Sequence, residues 1–250
     1  MIALALLAIV VQAGATSAAP TISRRSPVTV LSRSDTSTTG GRRVRLLVRI
    51  DSHAAITGIR TADLIENIRE IWRPYAEIDF AEIGTEAAAT YDDELRLLIT
   101  DRAPRPGSAT AAVLGWIEFL DGRPRNTMTV SVAAARTLMN RGTWLGRTID
   151  TLPPSLRQRF VTRALSRSAA HEIGHYLLRS SAHAARGLMR ERMTVEEIMD
   201  DTPALYRLLP SEIESLDQRL AGAPAEAPAS SGRKEIVCSA SLKGCRVGQT

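Results

Sequence analysis

Five residues, His171-Glu172-Ile173-Gly174-His175, constrain this chain more than any other part of it. Residues four apart on an α-helix share a face, so the two imidazoles can meet one metal ion. Neutral imidazole is a good zinc ligand, and a catalytic zinc site takes about three protein ligands and keeps one position open for water. Zinc brings the pKa of that water towards neutrality. Glu172 follows the first histidine, so its carboxylate can take the water's proton during attack on a carbonyl and pass it to a leaving amine. Random placement of the histidines and glutamates would produce this pattern roughly 0.004 times per chain, so coincidence is a poor explanation.

The neighbours suit a buried helix. Pro153-Pro154 opens a helical stretch over 155–178, with proline where a first turn tolerates it. Ile173, Tyr176 and Leu177 form an apolar stripe, and Phe160, Val161, Ala164 and Leu165 extend it. Glu172 is the only charged side chain over 172–178 apart from the ligand candidate His175. A carboxylate among apolar neighbours is costly to bury without a metal.

The third metal ligand is open at this level. His183 lies eight residues beyond His175. On a continuous helix it would sit about 18 Å along the axis from His171, so it can ligate only if the chain turns back after Leu178 or Arg179. Ser180-Ser181 permits that turn. The rivals are Glu196 and Glu197 on a later helix, whose plain alternative role is a solvated acidic face. His53 reads as a loop residue.

Structure should begin with a strand at 44–50, followed by a helix at 61–73 that ends near Pro74. Strands are expected at 78–83, 95–100, 113–119 and 127–132, the last two joined as a hairpin through Asp121-Gly122-Arg123-Pro124. Helices are expected near 194–200 and 211–221. This order gives an α/β fold, one mixed sheet with helices on one side. The ends read differently. Residues 1–19 form a short apolar run followed by small residues, as in a signal peptide, although no basic residue precedes the run. Residues 20–42 read as a linker or leader, 43–221 as the catalytic domain, and 222–250 as a flexible tail. In an exported chain, Cys238 and Cys245 in that tail would form one small disulfide loop.

With these residues in hand, the chain resembles the zincin metallopeptidases, and among them the metzincin clan, most nearly its matrixin-like branch. The metzincin pattern is His-Glu-x-x-His-x-x-Gly-x-x-His followed by a methionine-containing turn. His171, Glu172 and His175 match it. Gly187-Leu188-Met189-Arg190 resembles the methionine turn, with Met189 18 residues after His171, as in matrixins. Leu209-Pro210-Ser211-Glu212-Ile213-Glu214-Ser215-Leu216 resembles the start of the family's C-terminal helix. The chain departs from the pattern at Leu178, which holds the glycine position, and at Ser181, which holds the third-histidine position. His183 arrives two residues late. No cysteine occurs before Cys238, so the family's cysteine-based latency is absent.

The resemblance implies an α+β zincin-like fold, a twisted mixed sheet with the active-site helix beneath it. It implies Zn2+ held by His171, His175 and His183, Glu172 as general base, and the Met189 side chain as an apolar floor below the metal. It also implies that the sheet's edge strand, placed at 113–119, binds substrate as an added strand. The expected function is a secreted, extracellular or periplasmic, zinc-dependent endopeptidase acting on proteins or peptides. The alternatives are a zincin with Glu196 or Glu197 as third ligand, and a zinc-stabilised binding protein without turnover. Glu172 argues against the last, since closed structural zinc sites need no base.

The net charge of +5 does not point to nucleic acid. All but two of the 32 basic residues are arginine, spread along the chain and interleaved with acids. No run reaches the length of a nucleic-acid-binding tail. The expected partner is a protein or peptide substrate of a monomer, with no nucleic acid and no stable membrane insertion once the signal is removed.

Overall fold

The structure is a computed structural model. It describes residues 43–52, 59–87, 89–102, 111–221 and 234–241. The expected signal peptide, the linker, His53 and Cys245 lie outside the described residues. No described helix is long and apolar enough to cross a membrane.

The fold is the α/β arrangement expected, a mixed sheet packed against helices. In chain order the larger elements are β1 (Val44–Ser52), α1 (Thr61–Trp72), β2 (Ala76–Glu82), β3 (Asp93–Thr100), β4 (Ala111–Leu120) and β5 (Arg123–Ser131). Then come α2 (Val132–Arg141), the two-residue strands β6 (Thr143–Trp144) and β7 (Arg147–Thr148), and α3 (Pro154–Leu178). The chain continues through β8 (Arg192–Thr194), α4 (Val195–Met199), α5 (Pro210–Leu220) and β9 (Lys234–Ser241). The main sheet has the order β2-β1-β3-β5-β4-β9-β8. β1 pairs in parallel with β2 and β3, and β3 with β5, while β4 runs antiparallel to both β5 and β9.

Strand alternation decides which face carries the helices. Leu95, Leu97 and Ile99 of β3 are buried, as are Leu46, Val48 and Ile50 of β1. Arg49, Glu94, Asp51 and Arg96 turn to the other side, where Arg49 meets Glu94 at 2.7 Å and Arg96 meets Asp51. α1 offers Leu64, Ile68 and Trp72 to the core.

α3 is the axis of the molecule. From Phe160 to Leu177 nearly every side chain is buried, polar ones included, so this helix has no solvent face over that stretch. It needs partners for what it buries. Arg167 donates to the carbonyl of Glu197 at 2.9 Å and to those of Ile198 and Asp200, and its guanidinium lies over the Tyr206 ring. Trp72 Nε1–H donates to the Ala170 carbonyl at 3.1 Å and fixes α1 against the middle of α3.

Several elements went unread in the sequence. α2 lies within an Ala-rich run directly after β5, with Ser131 as its N-cap accepting from the Ala134 amide at 3.1 Å. β8 is three residues long, too short to leave a period. β9 falls inside the stretch read as a flexible tail. Its Ile236-Val237-Cys238 core suits a strand, and it pairs with β4. Residues 113–119 are therefore not an edge: β4 has β5 on one side and β9 on the other.

Candidate metal centre

His171 and His175 lie on consecutive turns of α3, with both imidazoles fully buried. Each ring is held at Nδ1 by a backbone carbonyl. His171 Nδ1–H donates to Leu188 at 2.8 Å, and His175 Nδ1–H donates to Ser180 at 2.7 Å. A carbonyl can only accept, so it fixes the tautomer and leaves each Nε2 lone pair free for a metal. Burial pushes the His171 pKa down to about 4 and that of His175 well below its ordinary value, so both rings are neutral near pH 7.

The chain does turn back after Leu178. Arg179 takes left-handed backbone angles of φ 50° and ψ 34°, and the Ser180 amide donates to the His175 carbonyl at 3.3 Å. This closes α3 in the manner of a left-handed C-cap. The returning strand is pinned where the Ala184 amide donates to the Met189 carbonyl at 2.8 Å. His183, the residue before that bridge, is thereby delivered to the other two histidines.

The three Nε2 atoms converge. His175 Nε2 is 2.9 Å from His171 Nε2 and 3.3 Å from His183 Nε2, and ligand atoms of all three lie within 4.8 Å of one another. A tetrahedral zinc with nitrogens at its usual bond lengths separates those nitrogens by about 3.3 Å. Three lone pairs aimed at one point repel unless a cation lies between them, so this donor set fits a metal ion. Two of the histidines are buried and His183 is exposed, which leaves the centre open on the His183 side.

Glu172, also fully buried, sits beside His171 on the same helical turn. The proposed glutamate ligands are elsewhere. Glu197 accepts from the Thr194 amide at 2.8 Å and pairs with Arg190 at 2.5 Å, completing a capping box on α4. Glu196 is exposed. Among the described residues, the only cluster able to hold a metal is His171, His175 and His183.

Met189 is buried directly against α3: a Cβ at position 174 would overlap its sulfur. Glycine at 174 is thus what lets the methionine pack against α3 between the two histidine positions in the chain. Gly187 opens that turn at φ 81°, and a Cβ there would come within 2.5 Å of the Arg207 carbonyl. The turn also presents the Leu188 carbonyl to His171 and so orients that ring.

Two further groups act on the site and were not read from the sequence. Phe119 of β4 meets the His175 ring edge to face at 6.3 Å between centroids. Arg219 of α5 donates to the carbonyls of Tyr176 at 3.2 Å and Leu177 at 2.6 Å, and pairs with Asp93 at 2.6 Å. Tyr176 Oη–H donates to the same Asp93 at 2.6 Å. This network ties the end of α3 to β3 and α5 at the two residues that follow His175. Only a lone Arg in a C-terminal helix hinted at it.

No protein-family model and no curated protein matches the chain. Among solved structures, an archaemetzincin from Methanopyrus kandleri aligns with 17% identity over 72% of this chain and 96% of its own, with a TM-score of 0.40.

Proposed function

We propose that this chain is a zinc-dependent peptidase, with zinc held by His171, His175 and His183 and with Glu172 as general base. The observation that carries the reading is the convergence of three Nε2 atoms, two of them on imidazoles locked by carbonyls, beside a buried glutamate. When bound, zinc would polarise a carbonyl and lower the pKa of water in the open position. Glu172 takes the proton from the attacking water and returns it to the departing amine. Burial helps both transfers, because a carboxylate shielded from solvent interacts more strongly with a nearby charge. Leu188 and Ser180 keep the two helix-borne imidazoles from rotating, and Met189 supports them from below.

The exposed His183 side, with three ligands converging and a position left open, favours catalysis over a closed structural zinc site. The apolar N-terminus supports export, and a protein or peptide substrate follows from the reaction. The test is hydrolysis of casein and of a mixed peptide pool by zinc-loaded wild type and Glu172→Gln at equal zinc content. Turnover should fall by about 10²–10⁴-fold in the variant while zinc is retained. Equal rates in the two proteins would remove Glu172 from the mechanism.

A further inference from the structure

β4 and β8 do not pair with each other, and β9 fills the gap between them. β9 runs antiparallel to β4, from Phe119 opposite Lys234 to Ala111 opposite Ser241, and parallel to β8, from Arg192 opposite Ser239 to Thr194 opposite Ser241. Both walls of this gap belong to the metal centre. β4 carries Phe119, whose ring meets His175. β8 begins three residues after Met189, in the segment that bridges back to Ala184 beside His183.

We propose that the chain's own residues 234–241 occupy the strand position beside β4 at which the resemblance seats an extended substrate, and hold the enzyme latent. The proposal rests on the peptidase reading above. Without β9, β4 would present its edge along 111–119 and β8 a short facing edge at 192–194, so a single extended peptide pairs with both over the stretch that 239–241 now fill and with β4 alone nearer the metal centre. Backbone pairing of this kind tolerates many sequences, so the same seat serves a resident strand and a foreign one.

The register says which part of a substrate is mimicked. β9 starts opposite Phe119, the β4 residue that touches a metal-centre histidine, and runs away from the centre. Its residues therefore take the place of the substrate segment on the carboxyl side of the bond to be cut. The occupant is tethered. Thirteen residues, 221–233, separate α5 from β9, and they are mostly Ala, Pro, Ser and Gly. Tethering raises the occupant's effective concentration towards the millimolar range, so a weak strand can hold the seat until a better one displaces it.

The test uses the full-length zinc-loaded chain and its Ile236→Pro/Val237→Pro variant: amides of adjacent strand residues face opposite edges, so one of the two prolines removes a donor to β4 whichever way β9 faces. Equal zinc content in the two verifies that the centre is intact. In a Glu172→Gln background, where cleavage cannot interfere, a fluorescent peptide Lys-Glu-Ile-Val-Cys-Ser-Ala-Ser should bind the proline variant at least tenfold more tightly. In chains retaining Glu172, the proline variant should hydrolyse peptides at least tenfold faster, with that peptide as a competitive inhibitor. Independently of any variant, amides 235–240 of the wild-type chain should exchange slowly with solvent deuterium and lose protection when the peptide is added in excess. Equal peptide binding by both chains, or unprotected amides at 235–240, would overturn the occupancy while Glu172-dependent hydrolysis kept the peptidase reading. Tighter binding by the proline variant with no hydrolysis by either chain would uphold the strand seat and overturn the peptidase reading.

Discussion

His183 reaches the metal centre from a turn rather than from the helix, so its loss separates ligand from scaffold. His183→Ala removes one of three converging nitrogens without disturbing α3. Zinc affinity should fall by roughly 100-fold or more, beyond what loss of a supporting contact costs. Glu197→Gln should leave zinc affinity unchanged and lower stability by about 1 kcal/mol, because that carboxylate serves the α4 capping box. Competition titration with a zinc chelator reads the affinities, and urea unfolding reads the stability. At this scale much was legible. His171 and His175 announce themselves by spacing, while the roles of Glu172 and Met189 stay proposals drawn from the motif and the turn. The third ligand was not settled, because its place depends on Arg179 in a left-handed conformation and on the Ala184–Met189 hydrogen bond. Arginine carries no signal for that conformation, whereas a glycine would have. Gly174 was in plain view within the motif, but only the packed Met189 sulfur explains it.

The secondary-structure elements follow the same division. α1, α5 and strands β1 to β5 have clear periods, α3 is marked by Pro153-Pro154 and by the histidine motif, and all lie close to where the sequence puts them. α2, β8 and β9 were missed for different reasons. α2 follows β5 with no loop to mark its start, three residues have no period, and a short strand inside a Pro- and Ala-rich tail is recognisable only once its partners are known. The Arg219 clamp on the end of α3 is likewise a long-range feature, joining residues 126 apart in sequence. Arg219→Ala removes charged donors from the Tyr176 and Leu177 carbonyls and leaves Asp93 half-buried beside Tyr176. The chain should lose about 2–3 kcal/mol of stability. Because the clamp sits next to the turn that delivers His183, zinc affinity should fall as well. Urea unfolding of zinc-free protein and chelator titration of the folded variant separate the two effects.

For the whole molecule, metal and fold are linked. Without zinc, burial holds the His171 pKa near 4 and lowers that of His175, whereas the unfolded chain titrates these groups near 6.5. Between those values the unfolded state binds more protons than the folded state, so stability rises with pH through that window and levels off above it. The melting temperature of zinc-free protein should therefore drop as pH is lowered from 7 to 5, and His171→Phe, which cannot titrate, should flatten part of that slope. Zinc that binds only the folded state should raise the melting temperature at pH 7, adding about 2.7 kcal/mol at 100 times its dissociation constant. The most direct measurement is X-ray absorption at the zinc edge on protein loaded with one zinc per chain. The expected spectrum shows three imidazole nitrogens near 2.0–2.1 Å and one further light atom from solvent, with one imidazole lost in His183→Ala. Two imidazoles with a protein carboxylate, or a fully protein-ligated closed shell, would contradict the three-histidine catalytic centre.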